Sequence, residues 1–262
     1  MDLFEALRSL DPGIALPSPL AIVGAGGKSE ALFGLAAGAR SRGHSVLVTT
    51  TTALRDPRSE EGRAFDRFVL EPRLAGPAEG APSASLVRCA PASVTVLATA
   101  FREGGKIEGP PPIRFEELRG AADLILVEAD GSRGHSIKAP ASHEPVLPEG
   151  LGLVIGCIGL DCLGRPAEAA TVHRLDDFLA VTDLAPGEPI GTAALEALVL
   201  ARDGLFKAVG PGVKRVLLLT KSDLLDEASR RSLLEWIHGS ILPGACDLVL
   251  LSSWGAIEIV AS

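Results

Sequence analysis

Short runs of apolar residues alternate along the chain with segments in which apolar residues return every three or four positions. An uninterrupted apolar run is typical of a strand buried on both faces, and the longer spacing indicates a helix with one buried face. The runs predict strands at 20–23, 45–49, 124–127, 153–158 and 216–219, and a last strand at 248–251. The helical spacing predicts helices at 1–10, 28–42, 115–119, 173–180, 192–201 and 224–238.

Alternating strands and helices predict an α/β fold, in which a mostly parallel sheet carries helices on both faces. The alternation weakens after the second strand, at about residues 56–112, where prolines, glycines and arginines are frequent. Short strands are predicted there at 68–70, 86–88 and 94–98, and Gly104–Gly105 turns the last of them back through 106–107 as a hairpin. We interpret residues 1–262 as one domain whose 56–112 segment is an elaboration, either an insertion or a subdomain.

The composition is typical of a soluble protein of the cytoplasm. Apolar residues make up 47% of the chain, which is enough for a buried core. No apolar run approaches the roughly 18 residues that a membrane span needs, and the N-terminus lacks the basic start of a signal peptide. The four cysteines form no C-x-x-C pair and are interpreted as reduced. The net charge of −8 opposes a nucleic-acid backbone, so neither nucleic acid nor membrane is an expected partner.

A glycine-rich loop follows the first predicted strand and reads Gly24-Ala25-Gly26-Gly27-Lys28-Ser29. Glycines let successive backbone N–H groups turn toward an anion, and the helix that follows adds the positive end of its dipole. In this interpretation Lys28 reaches the outer phosphates of a nucleotide, and the Ser29 hydroxyl ligates Mg²⁺. Ile22 stands where the longer G-x-x-x-x-G-K-[ST] pattern has its first glycine, and the remaining compact form resembles the loop of Mur ligases. The alternative is a structural turn between strand and helix.

An acidic motif, Glu128-Ala129-Asp130-Gly131, stands at the end of the strand predicted at 124–127. An acidic residue at the tip of a buried strand is the Walker B arrangement, which binds Mg²⁺ and orients the attacking water. We assign Glu128 to the metal together with Ser29, and either Glu128 or Asp130 to the water. The E-x-x-G spelling resembles the motif of metallochaperone GTPases, which implies that Gly131 lets the backbone approach the γ-phosphate. The alternative is a solvated acidic turn.

A third motif, Thr220-Lys221-Ser222-Asp223, follows the strand predicted at 216–219. It resembles the [NT]-K-x-D motif by which GTPases recognise guanine. The aspartate accepts hydrogen bonds from N1–H and the exocyclic amine of guanine, which adenine cannot supply, and the lysine stem packs on the base. Thr220, Lys221 and Asp223 are therefore assigned to the nucleotide, with GTP favoured over ATP. In the alternative, Ser222 or Asp223 caps the following helix.

Polar residues near other strand ends are further candidates. Thr49–Thr52 follow the second predicted strand, and Thr50 either ligates phosphate or Mg²⁺ or only satisfies the strand end. Arg133 or Lys138 either stabilises charge in a transition state or is simply solvated. A second ligand site is a further candidate, and its residues would be His135, His143, Asp161 and His173.

With these residues in place, the chain resembles the YqeC family, described as accessory proteins of selenium-dependent molybdenum hydroxylases. The resemblance runs nearly end to end and is most specific in Glu128–Ser132, Lys138–Pro140 and His143–Pro145. Ser29 stands where the family has threonine, and Thr220 stands where it has asparagine. The resemblance implies a P-loop NTPase-like fold and a role in maturing a molybdenum- or selenium-dependent enzyme.

Three functions agree with these residues. The first is a Mg²⁺-dependent NTPase whose catalytic residues are Lys28, Glu128 and Asp130, and whose hydrolysis drives delivery of a cofactor. The second is a protein that uses nucleotide occupancy to switch its affinity for a client hydroxylase or cofactor-processing protein. The third is a phosphotransferase or ligase that acts on a small-molecule acceptor in the second site.

Overall fold

The computed structural model describes residues 1–13, 15–60, 63–76, 84–241, 244–253 and 256–261. Its strands are β1 (Leu20–Gly24), β2 (Val46–Thr50), β3 (Leu54–Arg55), β4 (Arg67–Leu70), β5 (Val94–Ala98), β6 (Ala100–Arg102), β7 (Lys106–Glu108), β8 (Leu124–Glu128), β9 (Ile137–Lys138), β10 (Leu153–Gly159), β11 (Val172–His173), β12 (Lys214–Thr220), β13 (Leu248–Ser253) and β14 (Ala256–Ala261). Its α-helices are α1 (Leu3–Arg8), α2 (Lys28–Ser41), α3 (Ala84–Val87), α4 (Leu175–Thr182), α5 (Thr192–Leu200) and α6 (Glu227–Trp236).

A nine-stranded sheet forms the centre of the described part of the chain, in the order β14-β13-β12-β10-β1-β8-β2-β5-β4. Every neighbouring pair is parallel except β13 and β14, which are antiparallel. The strand β1 lies between β10 and β8, so the loop after β1 opens at the middle of the sheet. The predicted α/β class with a mostly parallel sheet is confirmed.

Both faces of the sheet are covered, and the alternation of side chains along β1 shows how. Leu20 and Ile22 belong to the apolar cluster formed with α1 and α2. Ala21 and Val23 belong to the opposite cluster, which contains Phe178 of α4 together with residues of α5 and α6. Because successive side chains of a strand point to opposite faces, a strand between two helical layers must be apolar at every position. This burial explains the uninterrupted apolar runs.

Five of the six predicted helices are α-helices, the one predicted at 115–119 is a 3-10 turn over Glu116–Leu118, and local chemistry decides where the helices begin. The side chain of Asp2 accepts a hydrogen bond from the Glu5 amide at 2.9 Å and caps α1. Neither Ser222 nor Asp223 caps α6, because the α-helix begins only at Glu227. Its cap is Asp226, whose carboxylate accepts from the Ser229 amide at 2.7 Å. The capping alternative for Ser222 and Asp223 was therefore wrong.

Three predicted elements differ from the structure. The strand predicted at 86–88 is wrong, because Ala84–Val87 forms the helical turn α3 that buries Val87 in a satellite of the core. A run of three residues is too short for its periodicity to separate a strand from a helical turn. The hairpin through Gly104–Gly105 joins β6 to β7, whereas β5 stays in the main sheet. The strand at 248–251 is not the last, because the edge strand β14 follows it.

The segment predicted as an elaboration, 56–112, takes part in two sheets. It contributes β4 and β5 to the main sheet, and β6 and β7 to a three-stranded antiparallel sheet with β3. Residues 61–62 and 77–83 of this segment lie outside the described residues. The interpretation of the chain as a single domain stays a prediction.

Within the described ranges, none of the helices combines the length and the apolar character needed to cross a membrane. The four cysteines, Cys89, Cys157, Cys162 and Cys246, are buried and unpaired. Burial raises the pKa of the Cys162 and Cys246 thiols to about 12, so both are protonated at neutral pH. They act as small apolar residues of the core.

Gly109 offers a test of the contact between the small sheet and β2. A Cβ atom at residue 109 would collide with the backbone oxygen of Thr50 and lie 2.6 Å from Thr49 Oγ1. We therefore expect Gly109→Ala to lower the free energy of unfolding by about 2 kcal/mol, the usual cost of overpacking. Gly210→Ala is the matched control, because nothing lies within 4 Å of its added Cβ. Urea unfolding measures both, and equal midpoints would contradict this packing.

Candidate functional site

A cleft with a volume of about 1500 Å³ lies where the carboxyl ends of β1, β2, β8 and β12 meet. In open α/β sheets this edge is the usual ligand site, because the loops after parallel strands converge there. Residues of all three predicted motifs line the cleft: Gly26–Ser29 from the first, Glu128 and Gly131 from the second, and Thr220, Lys221 and Asp223 from the third. The structure therefore brings together motifs that are up to about 200 residues apart in sequence.

The glycine loop makes a tight turn that requires glycine. Gly24, Gly26 and Gly27 have φ angles of 89°, 79° and 112°, in the left-handed region that side chains disfavour. A Cβ atom on Gly26 would collide with the backbone of Gly159 and lie 2.7 Å from the Ser136 oxygen. The loop is therefore packed against its neighbours on one side, and the helix α2 begins directly after it.

The backbone amides of the loop fall into two groups. Those of Gly24, Ala25 and Gly26 donate to Asp130 Oδ2, the Cys157 oxygen and the His135 oxygen, at 2.9, 2.9 and 3.0 Å. Among the residues that the structure describes, none accepts a hydrogen bond from the amides at positions 27, 28 and 29. These amides form the first turn of α2, where the helix dipole also favours an anion.

The side chain of Lys28 is turned inward in this structure. It is 4% exposed, and its Nζ donates to the Gly24 oxygen at 2.8 Å and lies 3.2 Å from Asp130 Oδ1. Burial by itself lowers the pKa of Lys28, but the charges of Asp130 and Glu128 outweigh burial and raise that pKa above its ordinary value. Lys28 is therefore a fully charged ammonium group directly behind the loop.

Asp130 lies behind the loop and does not line the cleft. Its carboxylate is 1% exposed, accepts from the Gly24 amide, and lies 2.9 Å from Nζ of Lys138 on the side away from Lys28. In this position it fixes the loop to the end of β8. The prediction that Asp130 orients water stays untested, but the geometry favours the other candidate, Glu128.

Glu128 and Ser29 meet at the edge of the cleft. The Ser29 hydroxyl donates to Glu128 Oε2 at 3.0 Å, and both residues line the cleft. Burial raises the pKa of Glu128 above its ordinary value, although the charge of Lys28 and the hydrogen bond from Ser29 oppose the rise. A hydroxyl and a carboxylate fit Mg²⁺, which takes one or two protein ligands and completes its shell with water and phosphate.

No group of three or more His, Cys, Asp or Glu side chains suited to a metal ion occurs in the described ranges. The described residues therefore do not form a metal site made only of protein ligands. The Ser29–Glu128 pair instead matches the sparse protein shell that is usual where a nucleotide supplies further oxygen ligands.

Beyond Asp130, a row of alternating charges continues into the second half of the chain. Lys138 is 2% exposed, and its Nζ donates to the Gly131 oxygen at 2.8 Å and to Glu144 Oε2 at 2.7 Å. Arg174 binds the same carboxylate of Glu144 through Nε and Nη2, at 3.0 and 2.9 Å. The charge network Lys28–Asp130–Lys138–Glu144–Arg174 thus joins the loop to the start of α4. The ammonium group of Lys138 is bound within this network, so it is not available to a ligand in the cleft.

The guanine motif lies beside the glycine loop. The Thr220 hydroxyl donates to the Gly26 oxygen, and Lys221 Nζ donates to Asp161 Oδ2 at 2.8 Å and to Ser136 Oγ at 2.9 Å. Asp223 is exposed and lines the cleft. Asp161, predicted in the second ligand site, instead pairs with Lys221. The arrangement leaves the carboxylate of Asp223 available to a ligand.

The threonines after β2 divide between structure and cleft. The Thr50 hydroxyl is fully buried and donates to the Glu128 oxygen at 2.7 Å, and Thr49 donates to the Leu97 oxygen at 2.9 Å. Thr51 and Thr52, in contrast, line the cleft. The Thr50 hydroxyl, assigned to the ligand on sequence grounds, therefore fixes the ends of β2 and β8, and the Thr51 hydroxyl donates to the Val146 oxygen at 2.5 Å.

A set of basic and imidazole side chains forms one side of the cleft. The rings of His135 and His173 stack with centroids 5.5 Å apart. The side chain of Arg174, next to His173, is 28% exposed. We call this set the basic wall, and its members are Arg133, His135, His143, His173 and Arg174.

The small sheet of β3, β6 and β7, together with the segment before β4, forms a further side of the cleft that the sequence did not predict. Arg55, Arg63, Arg102 and Lys106 from this region line the cleft. The sequence shows only that arginine is frequent in this region of a chain whose net charge is −8. The frequency of a residue type does not show which side chains come together in the fold.

The architecture is that of an α/β protein consistent with a P-loop NTPase-like fold. Its glycine loop joins β1 to α2, and the acidic motif ends the adjacent strand β8. A family model described as YqeC protein matches residues 20–176, which include both motifs and the basic wall.

A curated relative from Escherichia coli (strain K12), named "Uncharacterized protein YqeC", is 36% identical over 218 residues, which are 82% of this chain and 80% of the relative. The chain therefore belongs to the YqeC family, and the family predicted from the motifs is confirmed. No solved structure matches the chain.

The Glu144 carboxylate predicts a specific loss of stability in acid. Burial raises its pKa, but hydrogen bonds from Arg174 and Lys138 outweigh burial and lower the pKa from 4.5 to about 2. Such a lowering contributes about 3 kcal/mol of stability above pH 4.5, which is lost as the pH falls to about 2. Glu144→Gln should therefore be less stable at pH 7 and less sensitive to acid between pH 4.5 and about 2.

Urea unfolding at a series of pH values measures this difference. Glu149→Gln is the control, because Glu149 is an exposed carboxylate on the same segment. If the two variants show the same pH dependence, Glu144 is not bonded as the structure has it.

Proposed function

We propose that this chain is a Mg²⁺-dependent nucleotide-binding protein that hydrolyses a nucleoside triphosphate slowly, with GTP favoured over ATP. The observation that carries the proposal is the arrangement at the start of α2. Three amides without acceptors among the described residues stand beside the Ser29–Glu128 pair, whose oxygens are 3.0 Å apart. Such a helix start is suited to phosphate, and such an oxygen pair is suited to Mg²⁺.

Binding of phosphate requires Lys28 to exchange one anion for another. Its Nζ now lies 3.2 Å from Asp130 Oδ1, and it must turn outward to reach a β- or γ-phosphate. Asp130 keeps the Gly24 amide and Lys138 when Lys28 leaves, so neither charge is left buried and unpaired. The exchange is therefore compatible with the folded core.

Glu128 is the residue best placed to accept a proton from an attacking water. Burial raises its pKa, and a carboxylate with a raised pKa is a stronger base at neutral pH than an ordinary one. When bound, Mg²⁺ would neutralise charge on the phosphate oxygens. Arg133, which lines the cleft, is the candidate for stabilising charge on the transferred group. NTPases of this kind often turn over slowly without a partner that completes the site.

The base is assigned to the side of the cleft that contains Asp223. Thr220 binds the loop at Gly26, so the two motifs are in contact and a nucleotide with its phosphates on the loop can extend its base toward Asp223. Lys221 is anchored by Asp161 and Ser136, which fixes its stem beside the base. These contacts support guanine recognition.

The biological setting rests on the family resemblance. We propose that nucleotide binding assists maturation of a molybdenum- or selenium-dependent hydroxylase, through a client enzyme or a cofactor-processing partner. A protein that binds nucleotide without hydrolysing it would use the same loop, so turnover separates the two versions of the proposal.

Titration with GTP, ATP and CTP in the presence of Mg²⁺ tests the phosphate site. We expect binding by the wild type and at least a roughly tenfold loss in Lys28→Ala, because a charge-assisted contact to phosphate is removed. Lys214→Ala is the matched control, because Lys214 stands at the opposite end of β12. Phosphate release over hours then distinguishes hydrolysis from binding alone. Absence of binding to all three nucleotides would refute the proposal.

Asp223→Ala tests the base assignment. The variant should bind GTP about tenfold or more weakly, since hydrogen bonds to a charged acceptor are lost, while ATP binding stays unchanged. Asp226→Ala is the control, because it removes the same charge from the neighbouring helix cap. If GTP and ATP weaken equally, Asp223 contributes only through its charge and guanine is not read by this motif.

A further inference from the structure

The cleft offers more room than one nucleotide needs, and Arg133 is the one member of the basic wall that the proposed function uses. Ligand pockets are usually about 300–1000 Å³ in volume. The cleft, at about 1500 Å³, exceeds that range. The basic wall lines the same cleft as Asp223, to which the proposed function assigns the base.

The basic wall is built directly against the phosphate loop. The His135 oxygen accepts the Gly26 amide at 3.0 Å, and the Ser136 oxygen accepts the Gly159 amide at 2.8 Å. Next along the chain, β9 pairs with β11, with Lys138 opposite His173. A ligand on this wall is therefore a neighbour of the phosphate end of the nucleotide.

Arg174 is oriented for an oxygen ligand. Glu144 occupies its Nε and one Nη2 donor in a forked pair, at 3.0 and 2.9 Å. A guanidinium group has five N–H donors, and in the described part of the chain the remaining ones meet no acceptor. The group is partly exposed to the cleft and fixed in direction, which is what bidentate recognition of a carboxylate or phosphate requires.

The guanidinium group of Arg174 is held fully charged, because the hydrogen bonds and charge of Glu144, followed by the charges of Asp177 and Asp130, raise its pKa. Arg133 has no acidic partner among the described residues, and Lys138 lies buried behind His173. Burial, followed by the charges of Lys138 and Arg174, lowers the pKa of His173 to about 4, so its imidazole is neutral at physiological pH. A neutral imidazole can donate a hydrogen bond to an oxygen ligand, so the positive charge that this wall offers to an anion comes from Arg174 and Arg133.

We propose that the basic wall binds a second, anionic ligand through carboxylate or phosphate-like oxygens, with Arg174 as the binding group and Glu144 as the residue that positions it. The inference deepens the proposed function and rests on it, because it places this ligand next to the phosphates of the bound nucleotide. Among the small-molecule acceptors that a second site could take, the basic wall favours one class, a small anion.

The test follows the histidine resonances of the full chain by NMR, with inorganic phosphate and succinate as separate probes. The protein is saturated with Mg²⁺ and a non-hydrolysable GTP analogue, so that the phosphate loop is occupied. Bound anion should raise the pKa of His173 from about 4 toward the ordinary histidine value. His44, which packs against Phe4 in α1, should not respond.

Arg174→Gln should weaken this response about tenfold or more and change nucleotide affinity by much less, because Arg174 is separated from the loop by three members of the charge network. Arg231→Gln, on an exposed position of α6, is the control. If Arg174→Gln does not fold, Arg174→Lys replaces it, since lysine keeps the charge opposite Glu144 but not the fork and should also weaken binding.

Either probe alone supports the site and identifies the oxygen chemistry it accepts. No response of His173, or an equal response in the Arg174 variants, would overturn the inference. Loss of the response when the nucleotide analogue is present would also overturn it, because the anion would then be occupying the phosphate loop. The same anion titration is repeated on Lys28→Ala without nucleotide. It tests the basic wall even if the nucleotide does not bind, so failure of the nucleotide site and failure of the anion site can be told apart.

Discussion

The buried carboxylate of Asp130 lies between two buried lysines, and the geometry of the whole candidate site depends on this contact. Its oxygens meet Lys28 at 3.2 Å, Lys138 at 2.9 Å and the Gly24 amide at 2.9 Å. An isolated charge of this kind would be costly to bury, and the two lysines and the Gly24 amide compensate the carboxylate. Together they attach the glycine loop to the end of β8, and thereby set the position of the first turn of α2.

The same contact joins the two halves of the cleft. From Asp130 the alternating charges pass through Lys138 and Glu144 to Arg174, without an uncharged member. In a low-dielectric interior, a change of charge at one member alters the potential at the next. Under the proposed function, a ligand that drew Lys28 away from Asp130 would strengthen the hold of Asp130 on Lys138 and leave more of the Glu144 charge to Arg174. The proposed phosphate site and the basic wall would then be parts of one electrostatic system.

The centre of the sheet and the motif positions could be predicted from the sequence because both depend on local patterns. Strands covered on both faces must be apolar throughout, and β1, β8 and β12 are therefore visible as runs. The family was also predicted and is confirmed by the matched residues 20–176. The edge strand β14 lacks such a run, since a strand at a sheet edge need not be apolar at each position.

The direction in which each acidic side chain faces could not be predicted. Glu128 and Asp130 stand two positions apart, and alternation along a strand would put both on one side. The strand ends at Glu128, however, so Asp130 turns back under the loop while Glu128 meets Ser29. The charge network was equally inaccessible, because Lys138, Glu144 and Arg174 share no periodicity and meet only through the pairing of β9 with β11.

If the proposed function holds, the Ser29–Glu128 pair makes metal and nucleotide depend on each other for binding. Alone, Mg²⁺ would find one carboxylate and one hydroxyl, which are too few strong ligands to repay its dehydration. A triphosphate alone would bring its negative charge close to Glu128, with Lys28 still engaged by Asp130. With both present, the metal would offset the repulsion between phosphate and Glu128, and phosphate oxygens would supply the ligands that the protein lacks. Under the proposed function, the buried carboxylate at the end of β8 would therefore make the site selective for the metal–nucleotide complex over either component.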